Sequence, residues 1–218
     1  MIRKAGSTSE LLSTQPLFEE GRQVHLLGFT SRAVVLGSSQ PSPDVDKRQA
    51  LALGAEVVRR PSGGGLVVLS PGEVSWVDVI LPRKDPLWED DVSRAGRWLG
   101  RCWADALRSL GVPDLEVHSG AYKSTRWSSK VCFAGVGPGE VLSGAAKVVG
   151  VSQRRTRQGA RFQCAALRVW DPNGVVEVLA LAPQDRILAL GDLQPLACGT
   201  GTAIEVGEME AALISRLP

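Results

Sequence analysis

The stretch RRPSGGGLVVL, residues Arg59–Leu69, decides how this chain is interpreted. Two arginines, a proline, a serine and three consecutive glycines lead directly into an apolar run. Glycine loses more backbone entropy on folding than any other residue, so three in a row are costly. A tight turn between two strands is the simplest explanation, but it needs only one glycine. The run therefore favours a backbone that a ligand approaches closely, with N–H groups free to bind phosphate or carbonyl oxygen.

The bulk composition is that of a globular chain. Of the 218 residues, 44% are hydrophobic and 22% are charged, as in ordinary folded domains. The 25 basic and 23 acidic residues give a net charge of +2, so nothing in the overall charge favours nucleic acid or a membrane surface. We find neither a signal-peptide core nor an apolar run of about 18 residues. The expectation is one cytoplasmic domain over residues 1–218, without nucleic acid or membrane as a partner.

The cysteines and histidines do not form a metal-binding pattern. Four widely spaced cysteines and two histidines are present, with no CxxC pair. Zinc sites of the usual spacing need such pairs, so we expect no metal. Without an export signal the thiols are expected to be reduced. The cysteines are Cys102, Cys132, Cys164 and Cys198.

Hydrophobic periodicity predicts an α+β fold, with a mixed β-sheet and helices packed on it. The segment VSWVDVIL after Gly72 is apolar on both faces, which indicates a central strand. We expect residues 1–22 to be irregular and flexible apart from one short helix. The other predicted elements are a strand hairpin over 24–37, a helix over 45–54, strands on both sides of the glycine run, a helix over 90–111, strands between 115 and 170, a helix over 174–190 broken near Pro183, and a helix over 205–217.

Three blocks, in order along the chain, resemble the lipoate–protein ligase and octanoyltransferase family. Residues 59–68, RRPSGGGLVV, resemble the family signature RRxSGGGAV. Residues 131–141, VCFAGVGPGEV, are similar to the family's "CF…yE" element. Residues 145–167, AAKVVGVSQRRTRQGARFQCAAL, are similar to the lysine-containing block that follows it. Gly37 and Gln40 resemble an early "G..Q" segment.

The resemblance implies a fold and an activity. The fold is a curved mixed sheet flanked by helices, like the catalytic domains of biotin–lipoate ligases and class II aminoacyl-tRNA synthetases. The activity is attachment of a lipoyl or octanoyl group to a lysine ε-amine. The implied carriers are the lipoyl domain of a 2-oxoacid dehydrogenase and the glycine cleavage H protein. The chain would be a short form without the accessory domain of many ligases, and residues 171–218 match the family less well.

The resemblance also implies site residues. Lys147 lies between apolar neighbours, so a strand would fix its amine, and an ammonium aimed at an acyl oxygen stabilises a developing oxyanion. We expect burial to lower the pKa of Lys147 and so to assist proton transfer. Without the resemblance, an edge-strand lysine that deters aggregation is the simpler reading. The implied substrate-binding residues are Arg60, Ser62, Gly63, Gly64, Gly65, Gly150 and Gln153.

The acyl donor divides the family. Ligases activate lipoate with ATP and Mg²⁺, whereas octanoyltransferases take octanoate from acyl carrier protein through a cysteine thioester, which needs an activated thiolate. Cys132 stands where one octanoyltransferase branch carries its nucleophile, and Cys198 resembles the element of a second branch, at a longer spacing from Lys147 than that branch shows. Either could instead be a small buried side chain, and for Cys198 this is the simpler explanation. The short chain and Cys132 favour acyl transfer slightly over ligation, which would need a separate accessory subunit. No tightly bound cofactor is expected.

Some positions depart from the family pattern, and other functions stay open. Leu69-Ser70 replaces the usual His-Asp, and Cys164 stands where many relatives have histidine. These changes leave room for a non-catalytic module that binds lipoate or an acyl chain. A biotin–protein ligase is disfavoured because its GRGRxGR loop is absent. The basic residues Arg154, Arg155, Arg157 and Arg161 are either a solvated hairpin or a docking surface for an acidic carrier domain.

Overall fold

The computed structural model describes residues 1–218, in ten strands and seven α-helices. The strands are β1 (Ile2–Gly6), β2 (Gln23–Phe29), β3 (Ala33–Leu36), β4 (Glu56–Arg59), β5 (Val67–Leu69), β6 (Val74–Pro82), β7 (Leu115–Val117), β8 (Val141–Ser143), β9 (Ala146–Arg155) and β10 (Gly159–Leu167). The helices are α1 (Thr8–Ser13), α2 (Lys47–Ala52), α3 (Val92–Ala95), α4 (Arg97–Ser109), α5 (Pro172–Val178), α6 (Pro183–Leu193) and α7 (Val206–Ile214).

A seven-stranded mixed sheet forms the centre of the fold, in the order β1-β2-β6-β10-β9-β8-β7. Only β1 and β2 pair in parallel, and every other neighbouring pair is antiparallel. β6 lies between β2 and β10 and is buried along nearly its whole length. The prediction of a central strand from its two apolar faces is therefore confirmed.

A second sheet of three strands, in the order β4-β3-β5, packs beside the first. The predicted hairpin over residues 24–37 is wrong, because β2 belongs to the large sheet and β3 to the small one. β4 and β5 do not pair with each other. Each pairs with β3, β4 in parallel and β5 antiparallel. The glycine run is consequently a loop that carries the chain across β3, not a hairpin turn.

The core is divided among the faces of the two sheets. One cluster lies between the large sheet and helices α4 and α7, and it contains Leu99, Trp103 and Phe162. A second lies between the two sheets, around Trp76 and Leu69. A third packs the outer side of the small sheet against α5 and α6. These layers confirm the predicted α+β class, with a mixed sheet flanked by helices.

The helices agree with the sequence patterns, apart from their bounds. The predicted helix over 90–111 is present as α3 and α4, which meet at Gly96, and Asp91 caps α3 by accepting from Ser93 N–H. The predicted break near Pro183 separates α5 from α6. Glu205 and Glu208 form a capping box at the start of α7. No helix of the protein combines the length and the apolar character that crossing a membrane requires.

The N-terminal residues are more ordered in secondary structure than the sequence suggested. β1 extends the large sheet at its edge beside β2. Arg161, on β10, donates to the carbonyls of Leu12 (3.3 Å) and Thr14 (2.8 Å) at the C-terminal end of α1. The same guanidinium holds the Asp78 carboxylate through Nε (2.6 Å). An internal charge pair thus ties the N-terminal segment to the middle of the sheet.

The glycine loop is packed against main chain on two sides. A Cβ on Gly65 would lie 2.5 Å from the Val131 nitrogen, and a Cβ on Gly37 would lie 1.8 Å from the Gly64 carbonyl oxygen. Gly64 itself has φ of +97°, a conformation that residues with a side chain rarely adopt. A Cβ on Gly63, in contrast, would meet nothing within 4 Å. The fold itself therefore requires glycine at positions 37, 64 and 65, but not at position 63.

We predict that Gly65→Ala is strongly destabilising and that Gly63→Ala is not. The first adds a methyl group where backbone atoms leave no room, an overpacking that costs about 1–3 kcal/mol or more. The second places its methyl in open space, so its effect should stay within about 0.5 kcal/mol. Urea denaturation followed by circular dichroism gives both values. Equal stability of the two variants would contradict the packing argument.

We also predict that Arg161→Met costs about 3–5 kcal/mol, because it leaves the Asp78 carboxylate buried without its cation. Asp78 is fully buried, and burial raises the pKa of its carboxyl against the opposing pull of Arg161. The double variant Asp78→Asn/Arg161→Met removes the unpaired charge and should regain most of the loss. Arg83→Met breaks an exposed pair with Asp90 and should cost less than about 1 kcal/mol. Chemical denaturation tests all three variants, and an additive double variant would refute the coupling.

Candidate active site

A cavity of about 950 Å³ opens beside the glycine loop. Its walls come from that loop, the start of α3, the segment 119–122, the segment 132–140 and strand β9. We call it the polar cavity because only five of its 20 lining residues are hydrophobic. The lining residues used below are Gly63, Gly64, Gly65, Tyr122, Cys132, Glu140, Lys147, Ser152 and Gln153.

A β-bulge in β9 aims Lys147 toward this cavity. Val141 of β8 pairs with Val149, and the next residue, Leu142, pairs with Lys147, so Val148 is the extra residue. Val148 and Val149 both pack into the core beneath α4 and α7. An extra residue shifts the alternation of side chains by one. Lys147 therefore shares a side of the sheet with Gly150, whose added Cβ would lie 3.4 Å from Lys147 Cε.

The Lys147 ammonium is buried and fully hydrogen-bonded. Its Nζ donates to the carbonyl oxygens of Cys132 and Gly135, both at 2.9 Å, and lies 2.8 Å from Glu140 Oε1. The Phe133 ring centroid lies 5.0 Å away. Only 1% of the residue is exposed. Three acceptors match the three hydrogens of an ammonium, so this side chain is held in one orientation.

The pKa of Lys147 differs from the expectation. Burial alone lowers it, as the sequence argument assumed, but the Glu140 carboxylate favours the ammonium through its charge and its hydrogen bond. The net pKa is raised above the ordinary lysine value. Lys147 is consequently a fixed positive charge at neutral pH and not a proton acceptor, which corrects the expectation that burial would prepare it for proton transfer.

Glu140 is a site residue that the sequence analysis did not select. Its Oε1 accepts from Val151 N–H (3.2 Å) and its Oε2 from Gly137 N–H (2.7 Å), in addition to the contact with Lys147. Only 6% of it is exposed. The signal was present, since Glu140 closes the VCFAGVGPGEV block. A lone glutamate in that block carries no charge pattern of its own, so its pairing with Lys147 became visible only in three dimensions.

Cys132 lies at the wall of the cavity between the glycine loop and Lys147. Its N–H donates to the Leu66 carbonyl (3.0 Å), and its own carbonyl accepts from Lys147. Its Sγ would lie 3.6 Å from a Cβ on Gly64. The residue is partly exposed, and it lines the same cavity as Lys147. The structure therefore brings together Cys132, Lys147 and the glycine loop.

The other cysteines do not line the cavity. Cys198 has its N–H bonded to the Lys147 carbonyl (3.0 Å) and its Sγ 3.8 Å from the Ala146 carbonyl, and it packs against the core beneath the helices. Burial raises its pKa. Cys164 is fully buried in that core, and burial raises its pKa strongly. Cys102 packs against the same core from α4. Cys132 and Cys198 are therefore both bonded to Lys147 through the main chain, but only Cys132 lines the cavity, next to the Lys147 ammonium.

The predicted binding residues separate into two groups. Gly63, Gly64, Gly65 and Gln153 line the cavity. Gln153 donates from Nε2 to the Val92 carbonyl (2.8 Å), and its buried Oε1 has no hydrogen-bond partner. A ligand with a donor group would satisfy that oxygen.

Arg60 and Ser62 are instead buried beneath the glycine loop, 2% and 1% exposed. Arg60 Nη2 donates to the carbonyls of Gly63 (2.7 Å) and Gly65 (3.0 Å), so it shapes the loop from below. Ser62 Oγ lies 2.9 Å from Ser152 Oγ and donates to Gln163 Oε1 (2.7 Å). Both residues organise the main chain that the cavity exposes.

The basic residues at the end of β9 have different environments. Arg161 is buried against Asp78 and faces no solvent, so it is not part of a docking surface. Arg155 stacks on Trp88, 4.2 Å from the ring centroid. Arg154 and Arg157 are exposed. Nowhere in the protein do three or more metal-ligating side chains of histidine, cysteine, aspartate or glutamate come together.

The fold is shared with solved lipoate–protein ligases. A lipoate-protein ligase A bound with ATP superposes with a TM-score of 0.71 at 18% identity, over 98% of this chain and 81% of that one. A bi-partite lipoate protein ligase of Thermoplasma acidophilum, described with its E2 lipoyl domain, gives 0.70 at 18% identity, over 89% of this chain and 69% of that one. Protein Ta0514 of T. acidophilum, with bound lipoic acid, gives 0.70 at 18% identity, over 99% and 81%.

At such identities the structural likeness establishes the fold alone. No curated protein sequence matches the chain. The profile of the lipoyl protein ligase A/B catalytic domain, in contrast, matches residues 8–187. That range contains the glycine loop, Cys132, Glu140 and Lys147, and it confirms the resemblance that the sequence motifs indicated. The chain belongs to the lipoyl protein ligase A/B catalytic domain family, whose members are ligases and transferases of protein lipoylation.

Proposed function

We propose that this protein attaches an octanoyl or lipoyl group to the ε-amine of a lysine on a lipoyl carrier domain, through an acyl thioester on Cys132. One observation carries the proposal. Cys132 and the buried Lys147 ammonium line the same cavity, and Lys147 is bonded to the main chain of Cys132 itself (2.9 Å). Transfer through a thioester needs a cysteine at the cavity, and a fixed positive charge in the same cavity stabilises the oxyanion that attack by this cysteine creates.

In the first step the Cys132 thiolate attacks the carbonyl carbon of an acyl thioester, such as an acyl group on acyl carrier protein. The carbonyl π electrons move onto oxygen and form a tetrahedral intermediate. Collapse of this intermediate expels the thiolate of the donor and leaves the acyl group on Cys132. The Lys147 charge favours both the attacking thiolate and the transient oxyanion. The glycine loop forms part of the same cavity wall.

In the second step the neutral ε-amine of the carrier lysine attacks the Cys132 thioester. The C–S bond breaks, the sulfur leaves as thiolate and an amide forms. The proton released from the attacking nitrogen passes to water. Lys147 takes no proton, because its three hydrogens are held by three acceptors and its pKa is raised. Its role is to hold Cys132 and supply positive charge.

The proposed partner is a lipoyl domain, of a 2-oxoacid dehydrogenase or of the glycine cleavage H protein. Support comes from the related T. acidophilum ligase, which is described with its E2 lipoyl domain. The cavity mouth carries Val92 and Tyr122, each 57% exposed, and the exposed Arg154 and Arg157 lie at the end of β9. An apolar rim with nearby positive charge suits an acidic carrier whose lysine enters the cavity.

ATP-dependent lipoate ligation is the second candidate. A relative of the same fold holds ATP and another holds lipoic acid. The polar cavity is large enough for a nucleotide and contains Arg97 and the free carbonyl of Gln153. In this alternative the acyl group would be activated as an adenylate, with ATP and Mg²⁺ as reactants, and Cys132 would carry no acyl group.

The thioester proposal predicts an acyl adduct on Cys132. The protein is incubated with octanoyl-acyl carrier protein, without the lipoyl domain, and its intact mass is measured after rapid quenching. A mass increase of one octanoyl group is expected in the parent protein and in Cys198→Ser, because Cys198 lies outside the cavity. Cys132→Ser should show no thioester adduct and should lose carrier acylation by at least about 100-fold.

The same assay separates the alternatives. Modification of the lipoyl domain that requires lipoate with ATP, and that survives Cys132→Ser, would establish ligation instead. Thermal stabilisation by octanoate or lipoate with no product from either donor would indicate a non-catalytic binding module. Use of biotin in place of lipoate would identify a biotin ligase.

We further predict a change in pH dependence for Glu140→Gln. The carboxylate favours the ammonium of Lys147, so its removal lowers the pKa of that lysine. Activity that needs the positive charge is kept below this pKa and lost above it. The alkaline limb of the kcat/KM profile for carrier acylation should therefore move to lower pH in Glu140→Gln. Glu116→Gln, on an exposed position of β7, should leave that limb in place. An unshifted limb in Glu140→Gln would remove Lys147 from the charge role.

A further inference from the structure

The Lys147 ammonium has no hydrogen left for a substrate. Its three hydrogens go to the carbonyls of Cys132 and Gly135 and to the Glu140 carboxylate. An acyl carbonyl attacked at Cys132 becomes an oxyanion, and acyl-transfer sites bind this oxyanion with preorganised hydrogen-bond donors. Lys147 contributes positive charge to such a site but not the hydrogen bond. The polar cavity therefore needs a second group that donates.

Tyr122, the only tyrosine of the chain, lies against a residue that binds Lys147. A Cβ added to Gly135 would lie 2.2 Å from the Tyr122 hydroxyl oxygen, and one added to Gly137 would lie 3.6 Å from Tyr122 Cδ2. The ring thus rests on bare main chain, and the carbonyl of Gly135 accepts from Lys147 (2.9 Å). Two glycines of the motif VCFAGVGPGEV therefore leave the space that this ring occupies.

Main-chain hydrogen bonds fix the segment that carries Tyr122, although the residue itself is 57% exposed. On one side of it, Lys123 and Val136 exchange two bonds, of 2.8 and 3.0 Å. On the other side, the His118 N–H donates to the Glu140 carbonyl (2.9 Å). The Tyr122 ring is consequently held over the segment that also carries the carboxylate partner of Lys147.

The hydroxyl of Tyr122 is free to donate. It takes part in none of the hydrogen bonds of its segment, and the residue lines the same cavity as Cys132. Two other hydroxyls of the cavity wall already donate to the protein. Ser128 Oγ donates to a carbonyl of its own loop (2.8 Å), and Ser152 Oγ donates to the carbonyl of Gln163 (3.3 Å). Tyr122 therefore has a hydroxyl proton available where these two serines do not.

We propose that Tyr122 is a catalytic residue whose hydroxyl donates a hydrogen bond to the oxyanion formed when Cys132 attacks an acyl carbonyl. The inference rests on the proposed function, since it assumes an acyl group at Cys132. The hydroxyl keeps its proton throughout. The carbonyl π electrons move onto oxygen during the attack, and they return as the donor thiolate leaves. The same hydroxyl donates again when the carrier amine attacks the thioester.

Removal of the hydroxyl alone tests the assignment. Tyr122→Phe keeps the ring on the two glycines, so acylation of Cys132 by saturating octanoyl-acyl carrier protein should slow by about 100-fold. The donor concentration that gives half the maximal rate should change by less than about twofold, because the bond forms only in the transition state. Ser124→Ala is the matched control. It removes an exposed hydroxyl of the same segment, outside the cavity, and should keep the parent rate. Intact mass after rapid quenching measures each rate.

Alkylation of Cys132 separates hydrogen-bond donation from a structural role. Iodoacetamide reacts at a saturated carbon and releases iodide, so no oxyanion forms. Tyr122→Phe should therefore be alkylated at Cys132 at the parent rate, followed by peptide mass mapping, although its acylation is slow. An acylation rate equal to that of the parent, or an equal loss in acylation and alkylation, would overturn the inference.

A small activated ester distinguishes failure of this inference from failure of the proposed function. If octanoyl-acyl carrier protein leaves no adduct on the parent protein, the proposed function fails. Attack of Cys132 on p-nitrophenyl acetate needs no carrier but also creates an oxyanion, and Cys132→Ser gives the background rate. A loss of about 100-fold in Tyr122→Phe with this ester would support the inference even then. Equal acetylation of Cys132 in the parent and in Tyr122→Phe, or none in either, would overturn it.

Discussion

The buried pair of Lys147 and Glu140 is the constraint on which the site depends. Removing two charges from water costs several kcal/mol per ion, and the cost is offset only when every donor and acceptor finds a partner. The Lys147 ammonium has three such partners, the carbonyls of Cys132 and Gly135 and the Glu140 carboxylate. The Glu140 carboxylate also accepts from the N–H groups of Gly137 and Val151. Segments 132–140 and 147–151 therefore have one arrangement in which both charges are satisfied.

This arrangement determines where Cys132 can be. Its carbonyl is a ligand of the ammonium, and its N–H pairs with Leu66 directly after the glycine loop. The sulfur is thus placed by main-chain bonds at both ends of its residue, with no side chain needed to orient it. The main chain of this proposed nucleophile is therefore fixed beside Lys147, and rotation about χ1 is the main freedom left to its sulfur. Such preorganisation is what an acyl-transfer site requires.

The sequence predicted the class of the fold and most of the helices, because both follow from local patterns. The apolar stripe of α4 and the proline before α6 are visible in any window of the chain. Strand partners are not local. β2 and β3 resemble a hairpin in sequence, yet they belong to different sheets, since the three-residue link between them carries no signal for a change of sheet. The bulge at Val148 likewise has no signal in the sequence, although it determines the side of the sheet on which the Lys147 side chain lies.

The candidate site was predictable to the extent that family motifs marked it. Cys132, Lys147 and the glycines were selected from these motifs, and they lie around one cavity. The predicted direction of the pKa shift of Lys147 was wrong. The sequence indicated that the lysine is buried, which lowers its pKa, but it did not identify the carboxylate that raises it. Glu140 lies in the motif VCFAGVGPGEV, but no neighbouring residue indicates that it pairs with Lys147. Long-range electrostatic pairing is therefore the part of this site that sequence reasoning could not supply.

The three glycines have a different use from the one that their sequence suggested. A ligand pressed against bare backbone would require open space beside each of them. At Gly65 that space is already taken by the main chain at Val131, and at Gly37 by the carbonyl of Gly64. The loop connects β4 with β5 across β3, and at its end Leu66 is hydrogen-bonded to the segment that carries Cys132. All three glycines line the cavity, but only Gly63 and Gly64 are exposed residues. Close backbone packing on one side of the loop fixes its other side, together with Cys132, in the wall of the cavity.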